Sequence, residues 1–318
     1  MFDVITVGGA VVDTFLDTNI HEHFIKKNIE VCYPLGAKIK INNVDIFTGG
    51  GGTNTAVAFS RLGLKTGFIG KIGADKHGEM IYNELRKERV KFLGIISKEH
   101  NTDFSIILDS KGKDRTILNY KDASKYLHYD ELKRYYNTRW FYLTSMVDDS
   151  FKTINELAVK YTGRANFGFN ASSYVAEKGV SYLREILRAC TVFVLNKEEA
   201  QALVKKKDIM SMLLAIRKTG PSIVCITDGS NGSYTYDGSY VYYQKPHKIK
   251  VVEKTGAGDA YAATFIAGLI KGKSIENALS MALANAESVI THKGAKNILL
   301  SWSETVNGKS AIIKKEVK

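Results

Sequence analysis

The chain has 318 residues, long for one domain and short for three, and 44% of them are hydrophobic, enough for a sizeable core. Its net charge of +12 comes from lysines in short, scattered clusters such as Lys205-Lys206-Lys207 and Lys314-Lys315, without an arginine-rich tract, which argues against nucleic-acid binding and for a surface that attracts anionic metabolites. No apolar run of about 18 residues occurs, so no membrane-spanning helix is expected, and Cys32, Cys190 and Cys225 have neither metal nor disulfide spacing, which points to a reducing cytoplasm.

The opening residues, Met1-Phe2-Asp3-Val4-Ile5, lack a basic stretch before an apolar one and read as a buried strand, not a signal peptide. Short apolar runs then alternate with helical patterns. Strands are expected at Val4–Val7, Thr66–Ile69, Trp140–Leu143, Phe167–Phe169, Val192–Leu195 and Ile223–Thr227. Helices are expected over Thr53–Leu62, Lys76–Glu88, Tyr129–Tyr136, Phe151–Lys160, Glu177–Arg188, Lys197–Val204, Ile209–Lys218 and Ala260–Ile270. This alternation predicts an α/β chain with a mainly parallel sheet, whose ligands sit beyond the carboxyl ends of the strands.

Two stretches break the alternation. Val31–Phe47 is β-rich, and Phe104–Leu108 and Thr116–Asn119 flank the turn Asp109-Ser110-Lys111-Gly112-Lys113. Together they predict a small antiparallel sheet, roughly residues 12–48 and 100–122, hinged as a lid over the strand ends. Another hairpin is expected from Tyr234–Tyr236 and Tyr240–Tyr243, which explains these tyrosines as strand formers rather than base-stacking groups. The polar tail after Trp302 reads as partly disordered. His21 and His23 are close together, but without a third ligand nearby they predict no metal site.

The chemistry is concentrated in four motifs. Thr255-Gly256-Ala257-Gly258-Asp259 opens an apolar helix, so its first amides and the helix dipole make an anion site. Asp259 at that turn is either a helix cap or a base that takes the proton of an attacking hydroxyl. Thr48-Gly49-Gly50-Gly51-Gly52-Thr53-Asn54 is a second glycine-rich helix start, in which Asn54 offers an amide to a polyol. Asn196-Lys197-Glu198-Glu199 is either a capped helix start or a pair that holds hydrated Mg2+ beside phosphates, with Glu199 acting through water. Thr227-Asp228-Gly229-Ser230-Asn231-Gly232 is either an ordinary turn or a nucleotide-phosphate loop.

With these residues the chain resembles the ribokinase family, the PfkB-type carbohydrate kinases. Gly49-Gly50 with Asn54 and Ala56, Arg61-Leu62-Gly63, Ile69-Gly70 through Gly78, and Thr255 through Asp259 carry the resemblance, which spans nearly the whole chain. It implies a single ribokinase-like three-layer domain over residues 1–318 with a small β-sheet lid. It implies an ATP- and Mg2+-dependent kinase that phosphorylates the hydroxymethyl group of a sugar. Position by position it implies Asp259 as base and Gly256, Ala257 and Gly258 as the anion hole. Asp13, Gly49, Gly50 and Asn54 become the acceptor pocket. Asn196, Thr227, Gly229 and Gly232 become the nucleotide site with Glu199 toward Mg2+, and a homodimer through the lid is implied. Asn285 is expected either near the adenine or on a solvent-facing helix position.

The departures bear on the acceptor. Val11 and Gly51 stand where ribokinase carries an Asn and a Lys, so ribose is not assured. Without a Lys at 51 an unphosphorylated acceptor is expected, unless Lys38, Lys113 or Arg115 supplies a cation. A nucleoside acceptor stays open, as does a catalytically inactive nucleotide-binding scaffold. Glu253-Lys254 stands where many members have Asp-Thr, in a loop that binds a monovalent cation in ribokinase, so K+ is a candidate cofactor.

Overall fold

The computed structural model describes residues 1–18, 26–27, 30–31, 35–109, 115–133 and 135–317. His21, His23, Cys32 and Lys113 lie outside them, as does most of the turn expected at 109–113.

Among the described residues the central sheet has ten strands. Phe2–Val7 lies inside it, paired in parallel with Thr66–Ile69 on one side and Thr138–Thr144 on the other. Asn166–Asn170, Val192–Asn196 and Ile223–Thr227 continue the parallel run outward. Ser233–Tyr236, Tyr240–Gln244 and Ile312–Glu316 then finish the sheet in antiparallel pairing. Both faces of the parallel strands are apolar because both are covered. Val4 packs with the helices Gly51–Arg61, Ala257–Ile270 and Ile275–Val289, and Ile5 with Asp148–Tyr161, Arg184–Ala189 and Ile209–Arg217. The helix Ala257–Ile270 is apolar all round, because it is wedged between the sheet, its neighbour Ile275–Val289 and the glycine-rich helix.

A second sheet of four strands stands apart, in the order Arg115–Tyr120, Asp103–Asp109, Val11–Thr18, Ile41–Gly49. It leaves the chain directly after the central strand Phe2–Val7, so it sits over the strand ends. Its alternation sorts side chains by face. Asp13, Ser105 and Asn119 share one face by register, and Val44, Ile46, Ile106 and Leu118 share the other.

Four expectations are corrected. The small sheet is mixed rather than antiparallel, because Asp103–Asp109 runs parallel to Val11–Thr18, from which a long crossover rather than a hairpin separates it. Tyr129–Tyr136 is only a 3-10 turn at Tyr129–Glu131. Tertiary bonds take its residues, since Glu131 pairs with buried Lys71 at 2.7 Å and the Tyr136 amide donates to Tyr161 Oη at 2.7 Å. The helix expected over Glu177–Arg188 is two, Ser173–Glu177 and Arg184–Ala189, broken by Gly179 at φ 83°. The described part of the tail carries a helix at Trp302–Val306 and the edge strand Ile312–Glu316, whose Lys314 lies over Tyr240 and Tyr242. Lysines on that strand suit an edge, because charge there discourages further pairing.

Candidate active site

The connections leaving Phe2–Val7 and Thr138–Thr144 part in opposite directions, which opens a crevice at their carboxyl ends. A cavity of about 320 Å3 fills it. Its floor is the Gly9–Val11 segment and the Gly50-Gly51 turn, and one wall is Thr144–Val147 with Asn170 and Ser172. The roof is the inner face of the small sheet, with Asp103, Ser105, Asn119 and nearby Lys121. A larger groove of about 590 Å3 lies at the far edge of the sheet, walled mainly by apolar groups such as Leu213, Tyr234 and Ile313. No motif residue lines it, whereas Gly50, Gly51 and Asp259 line the smaller, polar cavity, which is therefore the candidate site.

Asp259 reaches this cavity from the first turn of its helix. Gly256 begins that turn at φ 82°, and a Cβ there would stand 2.7 Å from Ala295 Cα. Only glycine tolerates both the angle and the approach. Ala257 N donates to Lys254 O at 3.3 Å, while the amides of Gly258 and Asp259 meet no acceptor among the described residues. Unpaired amides at a helix start are what an anion needs. Burial pushes the Asp259 carboxyl upward, while a hydrogen bond from Asn54 and the charge of Lys296 pull it down.

The glycine-rich helix supplies the other half. Asn54 Nδ2 donates to Asp259 Oδ2 at 2.8 Å, and Asn54 Oδ1 is buried without a partner among the described residues. That orphaned acceptor can take a hydroxyl donor from a ligand. Gly50 has φ 95°, and a Cβ there would come within 2.6 Å of Gly9 O. A Cβ at Gly49 would collide with the Asp13 carboxylate, so the motif's glycines let Asp13 lie against the turn. Asp103 is fixed by the amides of Asp122 and Ser124, at 3.0 and 3.2 Å, and by the Ser124 hydroxyl.

Farther along the strand ends, Asn196 and Thr227 stand side by side in register. Asn196 and Glu199 form a reciprocal cap, each side chain accepting the other's amide at 2.8 Å. Burial lifts Glu199 to about 7, and the charges of Glu198 and Asp259 add to the rise. Lys197 pairs with Asp228 at 2.9 Å and ties the two motifs together. Gly229 and Gly232 have φ 51° and 99°, and nothing crowds a Cβ at Gly229. A dication at this end of the crevice would relieve the repulsion between Glu199 and Asp259, both of which are raised by burial, so these residues could hold Mg2+ there. Among the described residues no cluster of three ligating side chains exists, so phosphates and water would complete its shell.

Asn285 is a correction. It is fully buried; its Nδ2 donates to Thr264 Oγ1 at 2.7 Å, and its Oδ1 accepts from Leu300 N at 2.9 Å. It is not solvent-facing, and both ends of its amide are already engaged within the protein. Lys121, Ser145, Asn170 and Ser172 were not singled out from the sequence. Ser145, Asn170 and Ser172 lie at or just past the ends of the strands Thr138–Thr144 and Asn166–Asn170, a signal that the strand-end rule makes readable.

A polar crevice at the strand ends, with a buried carboxylate beside a helix start whose amides are unpaired among the described residues, suits phosphoryl transfer. The model of the pfkB family carbohydrate kinases matches residues 18–302. An uncharacterized sugar kinase of Archaeoglobus fulgidus is 30% identical over 249 residues, 76% of this chain and 97% of that protein. A 5-dehydro-2-deoxygluconokinase of Bacillus licheniformis is 26% identical over 95% of this chain and 94% of its own length. The solved nucleoside kinase of Methanocaldococcus jannaschii shares the fold with a TM-score of 0.80, over 96% of this chain and 97% of that one, at 24% identity. The chain belongs to the pfkB family of carbohydrate kinases. It is a sugar kinase, a phosphotransferase that uses ATP. No described helix is long and apolar enough to cross a membrane.

Proposed function

We propose that the enzyme moves the γ-phosphoryl group of MgATP to a hydroxymethyl group of an unphosphorylated sugar, with Asp259 as the base. The observation that carries this reading is the 2.8 Å bond from Asn54 to Asp259 at a helix start with unpaired amides. Base and anion site then lie within one turn. The hydroxyl proton passes to Asp259 as its oxygen bonds to the γ-phosphorus, and the bond to the ADP oxygen breaks with its electron pair. The turn Gly256–Gly258 receives the charge of the moving group through its amides. Asp13 and Asn54 hold acceptor hydroxyls, and Asn196, Thr227, Gly229 and Gly232 hold nucleotide phosphates, with Mg2+ beside Glu199. The small sheet closes as a lid and excludes water, which otherwise competes for the phosphoryl group.

Lys121 refines the acceptor. It lines the cavity where Lys38 does not, and it offers a cation to an acidic group on the acceptor, carboxylate or phosphate alike, so the choice of a sugar acid rests on the relatives. The relatives called 5-dehydro-2-deoxygluconokinase act, by that name, on a sugar acid. The described cysteines, Cys190 and Cys225, are free buried thiols, in keeping with a cytoplasmic enzyme. K+ at the loop around Glu253 belongs to the same reading and is tested by replacing K+ with Na+.

Two experiments test this. Asp259→Asn should lower kcat by about 10²–10⁴-fold while nucleotide still binds, and near-normal turnover rejects the base. An ATP-dependent screen of neutral sugars, sugar acids, sugar phosphates and nucleosides should favour the sugar acids. Preference for a phosphate or a nucleoside overturns the acceptor, and nucleotide binding without turnover on any acceptor points to a scaffold.

A further inference from the structure

Lys296 lies outside the machinery described so far, yet it is 4% exposed. A buried ammonium is costly unless it is paired and hydrogen-bonded. It donates to Glu84 Oε2 at 2.6 Å and to Thr53 Oγ1 at 3.3 Å. Glu84 in turn accepts from the Thr48 hydroxyl. Thr48 precedes Gly49, which packs on Asp13, and Thr53 precedes Asn54, which is bonded to Asp259. The ammonium therefore ties down both ends of the glycine-rich turn. Its own backbone is clamped as well, since Arg61 Nη1 donates to Lys296 O at 2.8 Å and Arg61 is paired with Glu88 at 2.7 Å. The preceding residue, Ala295, is the one against which Gly256 packs.

We propose that Lys296 is a positioning residue for phosphoryl transfer, whose buried ammonium holds the glycine-rich turn between Asp13 and Asp259 and supplies the positive field that both carboxylates share. This rests on Asp259 being the base. The charges around it support the idea. Lys296 faces Glu84 and Glu88 from one helix and its cap, Asp13 from the small sheet, and Asp259 across the turn. Asp259 faces Asn54 and Lys296, with Glu199 and Tyr142 from neighbouring elements and Lys121 lining the same cavity. Among these, Lys296 lowers the Asp259 carboxyl against the effect of burial. Removing the ammonium therefore raises it, and less of the base is ionised at a given pH.

The test is the pH profile of kcat/KM for the acceptor in the full chain. In Lys296→Met the acid limb should move to higher pH. Lys296→Arg keeps the cation and should keep the wild-type limb. The single Met variant strands the Glu84 charge, so Lys296→Met with Glu84→Gln is the decisive protein, because a neutral pair restores folding without the cation. Its limb should remain shifted. A folded double variant with the wild-type limb overturns the proposal. So does a double variant that cannot fold, because the pair is then structural. Normal turnover in Asp259→Asn instead removes the base itself, whereas an inactive Asp259→Asn with an unmoved limb in the double variant removes only the role of Lys296.

Discussion

Glu199 makes stability depend on pH in an unusual direction. It is 9% exposed in the helix Lys197–Val204, and burial lifts its carboxyl from 4.5 to about 7. The folded value lies above the unfolded one, so the folded state binds the extra proton. The contribution is therefore full below the unfolded value and is lost as pH rises through the folded value. A rise of that size corresponds to roughly 3 kcal/mol, an upper figure because water and nearby groups relax around the charge. Glu199→Gln removes the charge and keeps an oxygen for the Asn196 amide, so the cap survives. The variant should match the wild type below about pH 4 and exceed it by about 2–3 kcal/mol near pH 8. Urea unfolding of both proteins across that range measures the difference. The same pH dependence in both refutes the argument, because the Glu199 charge would then not be buried. If Mg2+ sits there, MgATP should also stabilise the wild type more than the variant.

Gly256→Ala places a Cβ at positive φ, at about 1–2 kcal/mol, and presses it on Ala295. Turnover should fall more than stability does, and a normal kcat would show that the turn does not need its shape. Asn285→Ala leaves Thr264 and the Leu300 amide without their partner, at about 1–3 kcal/mol. The KM for ATP should not change, and a raised KM with an unchanged Tm would return Asn285 to the nucleotide site. The outer face of the small sheet exposes Val44, Ile46 and Leu118 by about half, as expected for a face covered by a second copy. Ile46→Lys should then convert a dimer to a monomer in sedimentation, and a wild type that is already monomeric rejects the dimer. Hydrogen exchange in Asp103–Asp109 and Arg115–Tyr120 should slow when acceptor binds, and unchanged exchange would count against a lid.

Where local chemistry writes a boundary, the sequence carried it unaided. Thr66–Ile69, Lys197–Val204 and Ile223–Thr227 begin and end where their apolar runs and polar caps place them. The crevice could be anticipated too, because alternating strands and helices put glycine turns at the strand ends. Tertiary structure decided what depends on distant partners. Tyr136 leaves its helical pattern because Tyr161 takes its amide. The basic tail becomes a strand because the edge at Tyr240–Gln244 offers it unpaired backbone groups. Asn54 and Asp259 meet across 205 residues, and Lys296 reaches Glu84 across 212. Periodicity reports which face of an element is buried, but not which far segment covers it. That choice is made by packing, and with it the charges that act on Asp259.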